Sequence, residues 1–141
     1  MCHNVLEFIP ERAGIVKEFS RVLRRGGTLS IVKNNGAGRI MQKVIFQNNI
    51  NEALNLLNGG NIANTFGKVD LYNSEELIVW ADDLRIKKIL GMRTFCGMQP
   101  NKNVKHEPEW YDKMFEIEMK VSDMEPYKSI SLFHHVLLIK Q

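Results

Sequence analysis

The 141-residue sequence has few cysteines, no long apolar run and a nearly balanced charge. Cys2 and Cys96 stand far apart, without a CxxC spacing or nearby histidines, which indicates free thiols in a reducing compartment. No apolar run approaches the roughly 20 residues of a membrane-spanning helix, and the first residues lack a basic segment followed by an apolar core. We therefore expect a cytoplasmic protein that does not use a membrane. The net charge of +3 is too small to indicate a partner.

What the sequence does contain is typical of one globular domain: 44% hydrophobic and 25% charged residues. A helix is predicted over residues 11–24, because apolar residues from Ile15 to Leu23 recur on one face. Two glycines then end the helix, and residues 28–32 form an apolar strand that leads into polar Lys33, Asn34 and Asn35. In an open α/β sheet, ligands bind beyond such carboxyl ends of strands.

The rest of the chain gives coarser predictions, which divide it into helices, a loop and two further strands. Helices are predicted over residues 39–57, with a break at 48–51, and a polar loop follows to Tyr72. A capped helix over residues 73–85 then precedes a strand over residues 87–95. A further helix begins at residues 107–110, and the final strand covers residues 130–140. Gly91 indicates a bulge or a close backbone approach. The adjacent His134 and His135 point to opposite faces of their strand, and no metal site is predicted.

Several motifs carry a resemblance to a known family. His3-Asn4-Val5-Leu6-Glu7-Phe8, an amphipathic helix, Leu23-Arg24-Arg25-Gly26-Gly27 and a short strand resemble the segment after the fourth strand of class I S-adenosylmethionine-dependent methyltransferases. That family usually has Leu-Arg-Pro-Gly-Gly, so Arg25 replaces a proline. The chain is most similar to the bacterial tRNA carboxymethoxyuridine methyltransferases, whose pattern is His-Ala-Val-Leu-Glu-Trp. The resemblance continues through Asn35, Gly38, Met41, Gly91-Met92-Arg93-Thr94-Phe95, Glu125-Pro126-Tyr127 and His135-Val136.

The resemblance implies an α/β fold, the C-terminal half of a Rossmann-like methyltransferase sheet with parallel strands, an antiparallel last strand inserted among them, and flanking helices. Residues 1–141 would be the C-terminal part of one methyltransferase domain, with residues 36–72 as an inserted region on the side of the methyl acceptor. The family's glycine turn and ribose-binding acid are not found, and Gly36-Ala37-Gly38 does not replace them. We therefore expect a fragment or truncated gene product that lacks the cofactor-binding half and does not bind S-adenosylmethionine alone.

The resemblance also implies site residues. His3, Asn4 and Val5 would border S-adenosylmethionine, whereas Asn35, Arg93 and Tyr127 would bind the acceptor. Two of these residues have a simpler interpretation, because His3 could be a polar turn residue and Arg93 a solvent-facing cation. Glu7 could border the site or be a solvated carboxylate. No catalytic residue is assigned, since methyl transfer needs little beyond the positioning of the acceptor.

The acceptor is left open by one departure from the family pattern. Leu132 and Phe133 occupy the positions of an Arg-Tyr pair associated with the RNA substrate, so a bidentate partner for a carboxylate is missing there. A modified wobble uridine in tRNA is the first hypothesis, and a small-molecule acceptor is the second. The third is a non-catalytic half-domain that pairs with another chain. For the strand at residues 28–32 we expect an unpaired edge, and hence a homodimer or an aggregation-prone monomer.

Overall fold

The computed structural model describes residues 1–64 and 67–141, and the fold is α/β. The residues form two compact units, which are described separately. Unit 1 comprises Met1–Asn34, Asn61–Ile89 and His134–Gln141, and unit 2 comprises Asn35–Gly60 and Leu90–Phe133.

The secondary structure consists of six strands, six α-helices and three shorter helical turns in the described residues. The strands are β1 (Cys2–His3), β2 (Thr28–Asn34), β3 (Ile62–Asn64), β4 (Gly67–Val69), β5 (Leu84–Met92) and β6 (Phe133–Lys140). The α-helices are α1 (Arg12–Val22), α2 (Gly36–Met41), α3 (Ile50–Leu57), α4 (Glu76–Trp80), α5 (Trp110–Val121) and α6 (Tyr127–Ile130). The turns are 3-10 helices at Leu6–Phe8 and Asn103–His106 and a π-helix at Gln42–Phe46. No helix in residues 1–64 and 67–141 is long and apolar enough to cross a bilayer.

The main sheet has four strands in the order β1-β2-β6-β5. β1 is parallel to β2, with Cys2 opposite Ile31 and His3 opposite Val32, and the remaining pairs are antiparallel. The last strand therefore lies antiparallel between the strand that begins at Thr28 and the strand that contains Lys88. This arrangement of the three strands was predicted, and the structure confirms it.

The core of unit 1 lies between the main sheet and the helices α1 and α4. Alternate residues of β2 and β6 point into it, and Val16 of α1 and Leu77 of α4 are fully buried there. The fully or nearly fully buried strand residues of this core are Leu29, Ile31, Leu84, Val136 and Leu138. As predicted, glycine follows α1 at a position with positive φ: Gly26 has φ of 73°, and its N–H donates to the carbonyl of Lys140 at 2.9 Å.

The edge of the sheet differs from the prediction. We expected the strand that begins at Thr28 to lack a neighbour on one side, and this is wrong, because β1 pairs with it at Ile31 and Val32. The two edges of the sheet are β1, which has two residues, and β5. The two-residue edge strand β1 offers few free backbone groups with which a second chain could pair. The expectation of a dimer, which depended on an unpaired strand at Thr28, therefore has less support. Pairing between two copies stays a prediction.

Several predicted element boundaries are also wrong. α4 ends at Trp80, and Leu84 begins β5, although the apolar spacing assigned Leu84 to the helix. β6 begins at Phe133, because the short helix α6 precedes it. The predicted polar loop before Tyr72 contains the antiparallel pair β3 and β4, with Ile62 opposite Val69; residues 65 and 66 of that prediction lie outside the described residues. Short apolar runs do not distinguish a helix from a strand, which explains the first of these errors.

Unit 2 confirms the predicted break between two helices. α2 continues into the π-helical turn, and α3 begins after Asn49, whose side chain accepts from the N–H of Glu52 at 3.1 Å. Lys43 and Glu52 also form an ion pair at 2.8 Å. The close backbone approach predicted at Gly91 is present, since a Cβ there would lie 2.9 Å from the Cα of Lys128.

Candidate functional site

The carboxyl end of β1, in unit 1, carries the predicted cofactor-side residues. The N–H of Asn4 donates to the carbonyl of Val32 at 2.7 Å, so pairing with β2 continues one residue past β1. Asn4 then adopts a φ of 53°, a left-handed conformation that asparagine tolerates better than most residues. The side chains of His3, Asn4 and Val5 are exposed at this turn. Their exposure would allow contact with a ligand.

The 3-10 turn that follows directs Glu7 into the protein. Glu7 is only 1% exposed. Its Oε1 accepts from the backbone N–H of Asn34 at 2.6 Å and from Asn34 Nδ2 at 3.0 Å. Its Oε2 has no hydrogen-bond partner among the described residues. The interpretation of Glu7 as a solvated carboxylate is therefore wrong, because the turn at Leu6–Phe8 and the end of β2 together enclose it.

Lys33 lies in the same polar cluster, which we call the Glu7 cluster and define as Glu7, Lys33, Asn34 and Tyr72. Lys33 is 3% exposed, and its Nζ donates to the carbonyl of Asn34 at 2.8 Å and lies 4.8 Å from the centroid of the Tyr72 ring. Burial lowers the pKa of Lys33 to about 8, although nearby carboxylates, first that of Glu7, oppose the shift. Burial also raises the pKa of Tyr72, and the Glu7 carboxylate adds to that shift.

A second cation approaches the ring of Tyr72. The guanidinium carbon of Arg12 lies 5.1 Å from the Tyr72 centroid and 5.3 Å from that of Trp80. Arg12 Nη1 also donates to the carbonyl of Asp70 at 2.7 Å, and the N–H of Asp70 donates to the carbonyl of Glu7 at 2.9 Å. These contacts fix the backbone beside Glu7. The hydroxyl of Tyr72 is buried without a partner in the described residues, so this cluster holds two unpaired oxygens.

The low pKa of Lys33 predicts a pH dependence of stability. An unfolded lysine titrates near its ordinary value of 10.5, so between pH 8 and 10.5 the unfolded chain binds more protons and stability rises with pH. The gain is about 3 kcal/mol over the full window. Lys33→Met should remove this gain. Urea unfolding at pH 7 and pH 10 measures the difference between the two proteins, which cancels the opposing titration of Tyr72 and the cysteines.

The matched control is Lys17→Met, since Lys17 is an exposed lysine of α1. This variant should show the same pH dependence as the original protein. If stability changed between pH 7 and pH 10 by the same amount in Lys33→Met as in the original protein, then Lys33 would not be buried in its charged form.

The predicted acceptor-side residues Asn35, Arg93 and Tyr127 all lie in unit 2. Asn35 is 8% exposed, and its Nδ2 donates to the carbonyls of Ser129 and Ser131, each at 2.8 Å. Both N–H groups of this amide are therefore engaged within the protein, and only its oxygen could receive a ligand. The ring of Tyr127 lies 5.8 Å from that of Phe95.

Arg93 is exposed at the end of β5 and has a left-handed φ of 58°. Its guanidinium carbon lies 5.8 Å from the centroid of Phe133, and that of Arg39 lies 4.6 Å from the same centroid. Burial raises the pKa of the Cys96 thiol, the nearby Glu118 carboxylate adds to this shift, and the nearby Arg93 opposes it. Two guanidiniums therefore share one aromatic ring.

Glu118 of α5 holds the backbone that follows Arg93. Its carboxylate accepts from three successive N–H groups, those of Thr94 at 2.9 Å, Phe95 at 2.7 Å and Cys96 at 2.8 Å. Successive N–H groups that converge in this way form an anion-binding concavity, and here the occupant is a side chain of the protein itself. The turn that carries Arg93 is fixed by this contact.

The sequence alone did not single out Tyr72, Arg39 or Glu118. Glu118 is 22 to 24 residues away from the amides that it binds, and no local pattern signals such a contact. Lys33 was noticed only as part of a polar run at the end of a strand. The position of Lys33 directly after a predicted apolar strand was the available indication that it is buried, because lysine is rarely buried without a partner.

Comparisons with known proteins add no assignment. No protein-family model matches the chain, and no curated protein matches it. Within residues 1–64 and 67–141, no three histidine, cysteine or acidic side chains are grouped as metal ligands.

Proposed function

We propose that the chain is the acceptor-side half of an S-adenosylmethionine-dependent methyltransferase, with a modified wobble uridine of tRNA as the acceptor. The observation that carries the proposal is the strand order β1-β2-β6-β5 with β6 antiparallel inside the sheet. The resemblance to class I methyltransferases implies this order, in which an antiparallel strand lies between two strands that are parallel to each other.

The arginines of unit 2 support an anionic acceptor. Arg39 and Arg93 flank the ring of Phe133, and a planar guanidinium binds carboxylates and phosphates well. Phe133 replaces one residue of the family's Arg-Tyr pair, and these two arginines supply cations beside that position. A nucleobase with a carboxylate substituent fits an aromatic ring bordered by guanidiniums.

The proposed methyl transfer would need few catalytic groups from the protein. S-adenosylmethionine, when bound, supplies a methyl group on an electrophilic sulfonium. A carboxylate acceptor has a lone pair and carries no proton at neutral pH, so no general base is needed, in agreement with the absence of an assigned catalytic residue. The protein's part is to orient the acceptor through Arg93 and Arg39, and to border the cofactor with the exposed turn from His3 to Val5.

The test is methyl transfer by a chimera. The cofactor-binding half of a bacterial tRNA carboxymethoxyuridine methyltransferase is fused before Met1, and the chimera and the 141-residue chain are titrated with S-adenosylmethionine by calorimetry. We expect micromolar binding by the chimera and none by the chain alone, because the chain has no glycine turn and no ribose-binding acid. Radiolabelled S-adenosylmethionine then reports transfer to tRNA.

The outcomes separate the three hypotheses. Label in tRNA that is lost with Arg93→Gln supports the proposal. Label that enters only low-molecular-weight acceptors would favour the small-molecule enzyme. A chimera that is folded by circular dichroism but neither binds the cofactor nor transfers label would favour the non-catalytic half-domain, and the proposed function would then be wrong.

A further inference from the structure

Three strands of unit 1 bring two histidines to one hydroxyl. His3 Nε2 on β1 lies 2.9 Å from Ser30 Oγ on β2, and His135 Nε2 on β6 lies 2.8 Å from the same oxygen. The two imidazole centroids are 5.8 Å apart, with the rings nearly perpendicular. His3 is exposed, and Ser30 and His135 are partly exposed, so solvent reaches the group.

The number of protons shared by His3, Ser30 and His135 determines which ring nitrogens are protonated. A serine hydroxyl has one proton, so it can donate to one Nε2 and must accept from the other. The two imidazoles therefore take opposite tautomers, and both direct the same ring nitrogen at one point in space. A divalent metal could take the place of these two hydrogen bonds once the donating ring carries its proton on Nδ1 instead of Nε2, because each imidazole would then offer a lone pair at Nε2.

The spacing of the rings fits a shared metal. With metal–nitrogen bonds of about 2.0–2.1 Å and a ring centroid roughly 1.1 Å behind the nitrogen, two imidazoles on one metal have centroids roughly 5 Å apart at a tetrahedral angle and roughly 6.3 Å apart when opposite. The observed 5.8 Å lies within this range.

We propose that His3 and His135 form a binding site for a borderline divalent transition metal such as Zn²⁺, Co²⁺ or Cu²⁺. Two imidazoles supply half of a tetrahedral set, and two waters, or Ser30 Oγ and one water, complete it, so the site is open and exchangeable rather than structural. Imidazole suits these metals better than it suits Mg²⁺ or Ca²⁺, and Cu²⁺ should bind most tightly.

The test is a calorimetric titration of the protein with Zn²⁺, without S-adenosylmethionine or tRNA, so that its result is independent of the proposed function. We expect a dissociation constant in the micromolar range and a loss of at least tenfold for both His3→Gln and His135→Gln. Glutamine can keep a hydrogen bond to Ser30, and circular dichroism checks the fold of each variant. The control His106→Gln, at an exposed histidine in unit 2, should bind as the original protein does.

His135→Gln is the decisive variant. A terminal amine could form a metal site with His3 that does not include His135, and binding that survives His135→Gln would overturn the proposal. Broadening of amide NMR signals by Cu²⁺ gives a second measurement that needs no variant. It should be strongest around Ser30 and His135, and broadening confined to residues 1–4, or no binding at all, would equally refute the site.

Discussion

Gly38→Ala is expected to destabilise the protein by about 3 kcal/mol. Gly38 is buried in α2, where an added Cβ would overlap the carbonyl oxygen of Ser131 and lie 2.5 Å from its carbonyl carbon. The same Cβ would lie 2.9 Å from the carbonyl oxygen of Ile130. These are backbone atoms that cannot rotate away, so α2 or the segment after α6 must move. Alanine's better helix propensity, worth about 1 kcal/mol, offsets only part of the cost.

Gly14→Ala is the matched control, because Gly14 is also a helical glycine. It lies in α1, and an added Cβ would meet no atom within 4 Å. This variant should be more stable by about 0.5–1 kcal/mol, since alanine restricts the unfolded chain. Urea unfolding of both variants measures the effects. Equal stabilisation by the two changes would show that α2 does not pack closely on residues 130 and 131.

The fold was predictable in its strand order but not in its boundaries. The order came from the resemblance, which links the motifs at His3, Arg24 and His135 to one sheet. Periodicity alone would not have given it, because strand pairing joins residues that are about 100 positions apart, such as Ser30 and His135. The boundaries of α4 and β5 were misplaced because Leu84 fits the apolar spacing of the helix but is the first residue of β5, where it is buried in the core.

The candidate site likewise contains features that the sequence predicted and features that it did not. The exposed turn from His3 to Val5 was placed correctly at the end of a strand, because parallel strands end at a common edge. The burial of Glu7 and Lys33 could not be predicted, since a charged residue is expected at the surface unless a distant partner encloses it. Their partners, Asn34 and Tyr72, lie 27 and 39 residues away. Their burial therefore depends on tertiary contacts rather than on the local pattern.

Glu7→Leu is expected to cost about 3–5 kcal/mol, which is typical of a broken buried polar contact. Leucine has no acceptor, so the backbone N–H and Nδ2 of Asn34 would both lose their buried hydrogen bonds to Oε1 of Glu7. The Glu7 carboxylate is also the first of three carboxylates that raise the pKa of Lys33, so its loss would lower that pKa further and leave the charge of the ammonium less well compensated. Glu7→Gln keeps one acceptor oxygen and should cost less, about 1–2 kcal/mol.

A double-mutant cycle separates the two contributions in Glu7→Leu. With Lys33→Met in the background, no ammonium loses its anion, so the cost of Glu7→Leu should fall by at least about 1 kcal/mol. The remainder is the cost of the two hydrogen bonds between Asn34 and Glu7 that are lost. Urea unfolding at pH 7 gives all four free energies, and Glu18→Leu serves as the surface control, because Glu18 is exposed and pairs only with Arg21 in the described contacts. If Glu7→Leu behaved like Glu18→Leu, the Glu7 carboxylate would be solvated, and the Glu7 cluster would not be a buried polar site.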